Sequence, residues 1–121
     1  MKNKILIKHP ENWGLDESLV LKKASKALEY FGLKKNIELS LVFVGKRKAK
    51  QLNITYRQKD YIPQVLGFPM DREKSSDGYI KLGDIVICTQ KLKYEVTFQK
   101  SNLEKVLEEW MIHGVENLLK G

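Results

Sequence analysis

The stretch from Ser101 to Lys120, SNLEKVLEEWMIHGVENLLK, constrains the rest of the chain most strongly. Leu103, Leu107, Trp110, Gly114 and Leu118 recur at helical spacing, and Val106, Met111 and Val115 widen the apolar stripe. A helix with so broad an apolar face has to be buried against another layer, and the remaining residues must supply it. Ser101 followed by Glu104 reads as a capping box that starts this helix. His113 and Asn117 lie one turn apart beside the stripe, with Glu116 next to them. Polar groups that close to a core face, next to a glycine, are the first place to look for chemistry.

The second layer is a sheet. Residues 4 to 8 form a short apolar strand that Pro10 stops. Asp16 caps a helix to about Phe31, with Leu19, Val20, Ala24, Ala27 and Leu28 on one face, Lys22, Lys23 and Lys26 on the solvated face, and Gly32 at the left-handed position. Ile37 to Val44 alternates as a strand, with Ile37, Leu39, Leu41 and Phe43 on one side. After Gly45 comes a basic helix, KRKAKQLNITYR, with Ala49, Leu52 and Tyr56 facing inward. Residues 62 to 69 hold an edge strand bracketed by prolines, which cannot donate to a ladder. It pairs with the strand from Tyr79 to Cys88 across a hydrophilic turn, residues 71 to 78, that has no apolar anchor and reads as mobile. Thr89 caps a helix to about Phe98. Strands and helices mix without regular alternation, so the expected fold class is α+β: a small mixed sheet of about four strands flanked by helices, in a single domain spanning residues 1–121.

Charge bears on partners. Lys and Arg number 22 against 15 Asp and Glu, a formal net charge of +7, which favours a polyanion. Lys46, Arg47, Lys48 and Lys50 cluster at the start of the basic helix. Cations there oppose the helix macrodipole unless something negative binds. Cys88 is the single cysteine, so no intramolecular disulfide partner exists and a reducing compartment fits. The apolar run Ile5 to Ile7 is too short for a signal-peptide core or a membrane span, and a soluble, cytoplasmic protein is expected. GxGxxG and Walker phosphate loops are absent.

Three stretches, taken together, carry a family resemblance. LNITYRQKDYIPQVLGFP, residues 52 to 69, is similar to a pattern of Leu-Asn, then Tyr-Arg-Gly-Lys-Asp, then Thr-Asp-Val-Leu-Ser-Phe-Pro. GDIVIC, residues 83 to 88, is similar to Gly-Asp-Ile-Val-Ile-Ser. HGVENLL, residues 113 to 119, resembles the start of His-Gly-x-Leu-His-Leu-x-Gly-Tyr-Asp-His. In this order the three resemble the YbeY family, metal-dependent endoribonucleases of ribosomal RNA maturation. The resemblance implies a hydrolase that cuts single-stranded RNA and works with the ribosomal subunit in ribosome biogenesis and quality control. It implies a cleft in which three histidines hold one ion, usually zinc, that activates a water. It also places Arg57 opposite that ion, where a guanidinium can clamp a phosphate.

Carried over residue by residue, His113 is the first ligand and, with Arg57, the catalytic pair. Arg57, Lys59, Lys46, Arg47, Lys48 and Lys50 are the RNA-binding residues. The pattern departs at the second ligand, where Asn117 stands in place of histidine, with Glu116 as a substitute donor. Pro63, Gln64 and Gly67 replace Thr, Asp and Ser, and Lys120 replaces the motif glycine. The third ligand falls two residues beyond Gly121. Two explanations stay open: the natural protein lacks the site, or the sequence stops short of it. The alternative function is a non-catalytic RNA- or ribosome-binding relative. Asn53 and Asp84 read as structural residues, and Trp110 and Tyr56 as core or cleft-wall aromatics.

Overall fold

The computed structural model describes residues 2–121. Strands β1 (Lys4–Lys8), β2 (Ile37–Val44), β3 (Val65–Pro69) and β4 (Ile80–Cys88) are interleaved with helices α1 (Glu17–Tyr30), α2 (Lys46–Arg57), α3 (Thr89–Phe98) and α4 (Leu103–Lys120). The strands form one sheet in the order β1-β2-β4-β3. β1, β2 and β4 run parallel, and β3 pairs antiparallel with β4 at the edge, the position its prolines demand. The expected mixed α+β sheet is what forms.

Alternation decides which face is covered. Leu41 and Phe43 of β2 are buried on the same side as their register partners Ile85 and Ile87 of β4, and Leu39, opposite Gly83, continues the row. Against them lie Val20, Ala24 and Leu28 of α1 and Leu107, Met111, Val115 and Leu118 of α4, all in one apolar cluster. Each such fully buried aliphatic side chain contributes about 1.5–3 kcal/mol. Gly114 lets α4 come down onto β4: a Cβ there would sit 2.9 Å from the Ile85 side chain. Across the sheet, Leu66 of β3 pairs with Val86 of β4, and both are buried outside that cluster, as is Ala49 of α2.

The helix ends follow local rules, with two corrections. Asp16 caps α1 by accepting from the Ser18 N–H at 2.9 Å. Its far end closes as a Schellman motif, with Gly32 at φ +77° and the Leu33 N–H on the Leu28 carbonyl at 2.9 Å. The Ser101–Glu104 capping box does not form. Lys100 takes a left-handed φ of 51°, and the Ser101 N–H closes the end of α3 on the Val96 carbonyl. That leaves Asn102, as good a cap as serine, to accept from the Lys105 N–H at 2.8 Å. Nor does Thr89 cap α3. Cys88 is the N-cap, and Thr89 is the first helical residue.

Three side chains sit elsewhere than periodicity suggests. Tyr56 is 63% exposed and meets Phe68 edge-on, whereas Asn53 on the same helix is fully buried. Lys23 is buried between α1 and α4, with its Nζ 3.3 Å from Glu108 Oε2. Hydrogen bonds from Lys26 and Lys23 hold the Glu108 carboxyl below the usual range. Residues 71 to 78 are anchored by polar contacts rather than left without an anchor. The Ser75 hydroxyl donates to the Tyr79 carbonyl at 2.8 Å. Arg72 donates to the Leu118 and Leu119 carbonyls at 2.7 and 2.8 Å, satisfying orphan acceptors at the end of α4. Among the described residues no helix is long and apolar enough to cross a membrane.

Candidate nucleic-acid cleft

The end of α2, the loop after it and β3 form one wall of a cleft of about 960 Å³; α4 forms the other, and α3 closes one side. The wall on the α2 side is fixed by a buried amide. Gln58 takes a left-handed φ of 55° and ends α2, and the chain folds back over the helix. Asn53, with no exposed surface, donates through Nδ2 to the returning Tyr61 carbonyl at 3.1 Å. Its Oδ1 accepts from Arg57 Nη1 at 3.4 Å, one turn along the helix. One asparagine thus ties down the loop and turns the guanidinium into the cleft. Asn53, read from sequence as a structural residue, makes both of these contacts from a buried position.

On the opposite wall, Glu109, His113 and Asn117 follow one another at steps of four residues along α4, with Trp110 beside them. His113 is exposed and Asn117 half-buried. Gly67 of β3 makes room beneath: a Cβ there would lie 3.3 Å from the Asn117 Cβ. The bare backbone where the pattern has serine lets α4 sit directly on β3. Gln64 Nε2 donates to Glu95 Oε2 at 3.3 Å and ties the same wall to α3.

Of the residues singled out from sequence, Arg57, His113 and Asn117 line this one cleft. Glu116 lies outside the lining, and its Oε1 is 3.6 Å from Lys120 Nζ, an i, i+4 pair on the helix surface. Lys46, Arg47, Lys48, Lys50 and Lys59 are exposed but outside the cleft lining, and Lys50 pairs with Asp60 at 3.4 Å. Two cleft residues were missed. Glu109, one turn before His113, was findable from helical spacing. Lys91, in the first turn of α3, had no sequence signal, because only the tertiary fold brings α3 alongside.

The cleft therefore presents two cations, Arg57 and Lys91, one carboxylate, Glu109, one imidazole, His113, and two amides, Gln64 and Asn117. That set can grip a phosphodiester: a guanidinium forks onto two oxygens, and an ammonium supplies a second charge. It does not fit a three-histidine zinc centre. His113 is the only imidazole present, since His9 stacks on Trp13 at 3.8 Å, and an amide is a poor zinc ligand. Among the described residues no three His, Cys, Asp or Glu side chains come together as a metal-binding group.

Comparison with known proteins gives a consistent result. The sequence profile of the family "Endoribonuclease YbeY" matches residues 9–119. The Endoribonuclease YbeY of Aquifex aeolicus is 34% identical over 118 residues, which are 98% of this chain and 76% of that protein. The one from Mesoplasma florum is 29% identical over 106 residues, covering 85% of this chain and 63% of its own length. The one from Phytoplasma australiense is 35% identical over 89 residues, covering 71% and 60%. The chain thus spans less than two thirds of the latter two. Among solved structures, the solution structure of TM1509 from Thermotoga maritima superposes with a TM-score of 0.59 at 23% identity, over 96% of this chain and 71% of that one, a likeness of fold.

Proposed function

The chain belongs to the YbeY endoribonuclease family, and from that premise we propose that its cleft takes single-stranded ribosomal RNA for endonucleolytic maturation in the cytoplasm. The observation that carries this reading is that Arg57 and His113, from elements far apart in sequence, face one cleft with Lys91 beside them. Arg57 and Lys91 bind the backbone of the strand, and His113 stands at the bound phosphodiester, where an imidazole can take or give a proton. An open groove lined by Arg57 and Lys91 can track the backbone of an unpaired strand.

A second reading, a relative that binds RNA or the ribosomal subunit without cutting it, is favoured by Asn117 in the second ligand position. The family's zinc would need donors beyond those described, so no step is assigned through it. One experiment separates the readings: a labelled single-stranded oligoribonucleotide is incubated with the protein, with and without saturating zinc. Cleavage that requires the protein supports the first reading. Intact RNA, bound with an affinity that falls steeply with salt, supports the second. Absence of both cleavage and binding rejects the two together.

A further inference from the structure

We propose that a phosphate group binds in a second, smaller cavity, between the first turns of α2 and α3. The site arises from the sheet. Val44 and Cys88 are register partners at the ends of the parallel strands β2 and β4, and each strand runs straight into a helix. The N-termini of α2 and α3 therefore lie side by side. Neither has a side-chain cap, and neither has an acidic residue in its first turn. Two positive dipole ends thus meet beside one space, which the α2 end borders through Gly45 and the α3 end through Thr89 and Gln90.

That space is a cavity of about 130 Å³, lined by Gly45, Thr89, Gln90 and Lys93 and walled by Trp13 and Pro10. Gly45 borders the Gln90 side chain, and a Cβ there would lie in ordinary contact, 3.7 Å from its nitrogen.

An independent observation points to a ligand. Thr89 is 7% exposed, and its hydroxyl oxygen is buried with no hydrogen-bond partner. A buried hydroxyl without a partner carries a desolvation cost that an oxyanion at this position relieves. The surrounding charge agrees. Lys93 reaches over Gly14, where a Cβ would lie 2.9 Å from its Nζ. Lys46, Arg47 and Lys48 crowd the start of α2 with no ion pair among the described residues. Without an anion these cations oppose the macrodipole; with one bound, dipole and cations act together. The donors around the cavity suit a tetrahedral oxyanion such as a single phosphate group.

This site does not rest on the nuclease reading, since Lys91, two residues from Lys93, belongs to the other cleft. A backbone phosphate of RNA and free inorganic phosphate share the required chemistry. The test is amide-resolved NMR of the whole chain, titrated with inorganic phosphate, with chloride at equal ionic strength, and with a single-stranded oligoribonucleotide lacking terminal phosphates. Phosphate is expected to shift the amides of Lys46, Arg47, Thr89 and Gln90 saturably. The response should be about tenfold weaker in Thr89→Val and in Lys93→Ala. Thr89→Val should also fold, with a raised Tm in phosphate-free buffer, because it removes an unpaired hydroxyl. If the oligonucleotide moves the same amides, the bound group is an RNA phosphate; if phosphate alone moves them, it is the free anion; both outcomes support the site. Amides that stay unmoved, that respond equally to chloride, or that respond alike in both variants and the parent overturn it.

Discussion

Gly83→Ala is expected to lower stability by about 4 kcal/mol and the thermal midpoint by roughly 15 °C. Gly83 holds φ +141°, a region that L side chains rarely enter. The register on its neighbour steps from Lys81 opposite Glu38 to Gly83 opposite Leu39, so Leu82 is the extra residue of a bulge that Gly83 completes. A Cβ at this position would overlap the Phe68 carbonyl oxygen and lie 2.9 Å from the Pro69 Cα. Both atoms are backbone of β3, so no rotamer change relieves the clash. Against a total stability of about 5–15 kcal/mol, the loss is large enough to be read by calorimetry or denaturant unfolding. The first casualty is the β3–β4 pairing, and with it one wall of the cleft. A midpoint within a few degrees of the parent would show that the strand pair tolerates a side chain here and that the bulge is not what fixes β3.

Arg57→Ala is expected to weaken binding of single-stranded RNA about tenfold and to flatten its log–log salt dependence by about 0.7. Arg57 ends α2, where its charge complements the helix dipole, and its guanidinium is steadied by the buried Asn53. Such a group can meet a phosphate without first ordering itself. Arg57→Lys should recover the salt slope but only part of the affinity, because an ammonium replaces the charge and not the fork. Anisotropy titrations at several salt concentrations separate the two contributions. An unchanged slope in Arg57→Ala would remove this residue from the RNA contact.

The sequence carried most of the architecture because each element has its own periodicity and its own punctuation. β2 alternates cleanly, α1 is bracketed by Asp16 and Gly32, and the prolines around β3 mark an edge. Every element expected is present, with ends displaced by a residue or a few. What periodicity could not show is polar burial. Asn53, not Tyr56, is the interior residue of α2, because its amide has a loop to hold. Lys23 looked solvated yet reaches Glu108 across the α1–α4 contact. Arg72 anchors a hydrophilic turn through carbonyls nearly fifty residues away, a contact that leaves no mark on hydropathy. At the site, the motif spacing found Arg57, His113 and Asn117. Lys91 came into view only with the fold, and Glu116 dropped out because it lies outside the cleft lining and reaches Lys120 instead.

The account stands on one claim, that RNA lies between the α2–β3 wall and α4. Photocrosslinking of a thiouridine-bearing single strand, followed by peptide mapping, tests it most directly. The account predicts crosslinks in the segment from Arg57 to Gly67 and on α4 between Glu109 and Asn117. Crosslinks confined to the outer face of α1, around Lys22 and Lys26, with none in those two segments, would contradict it.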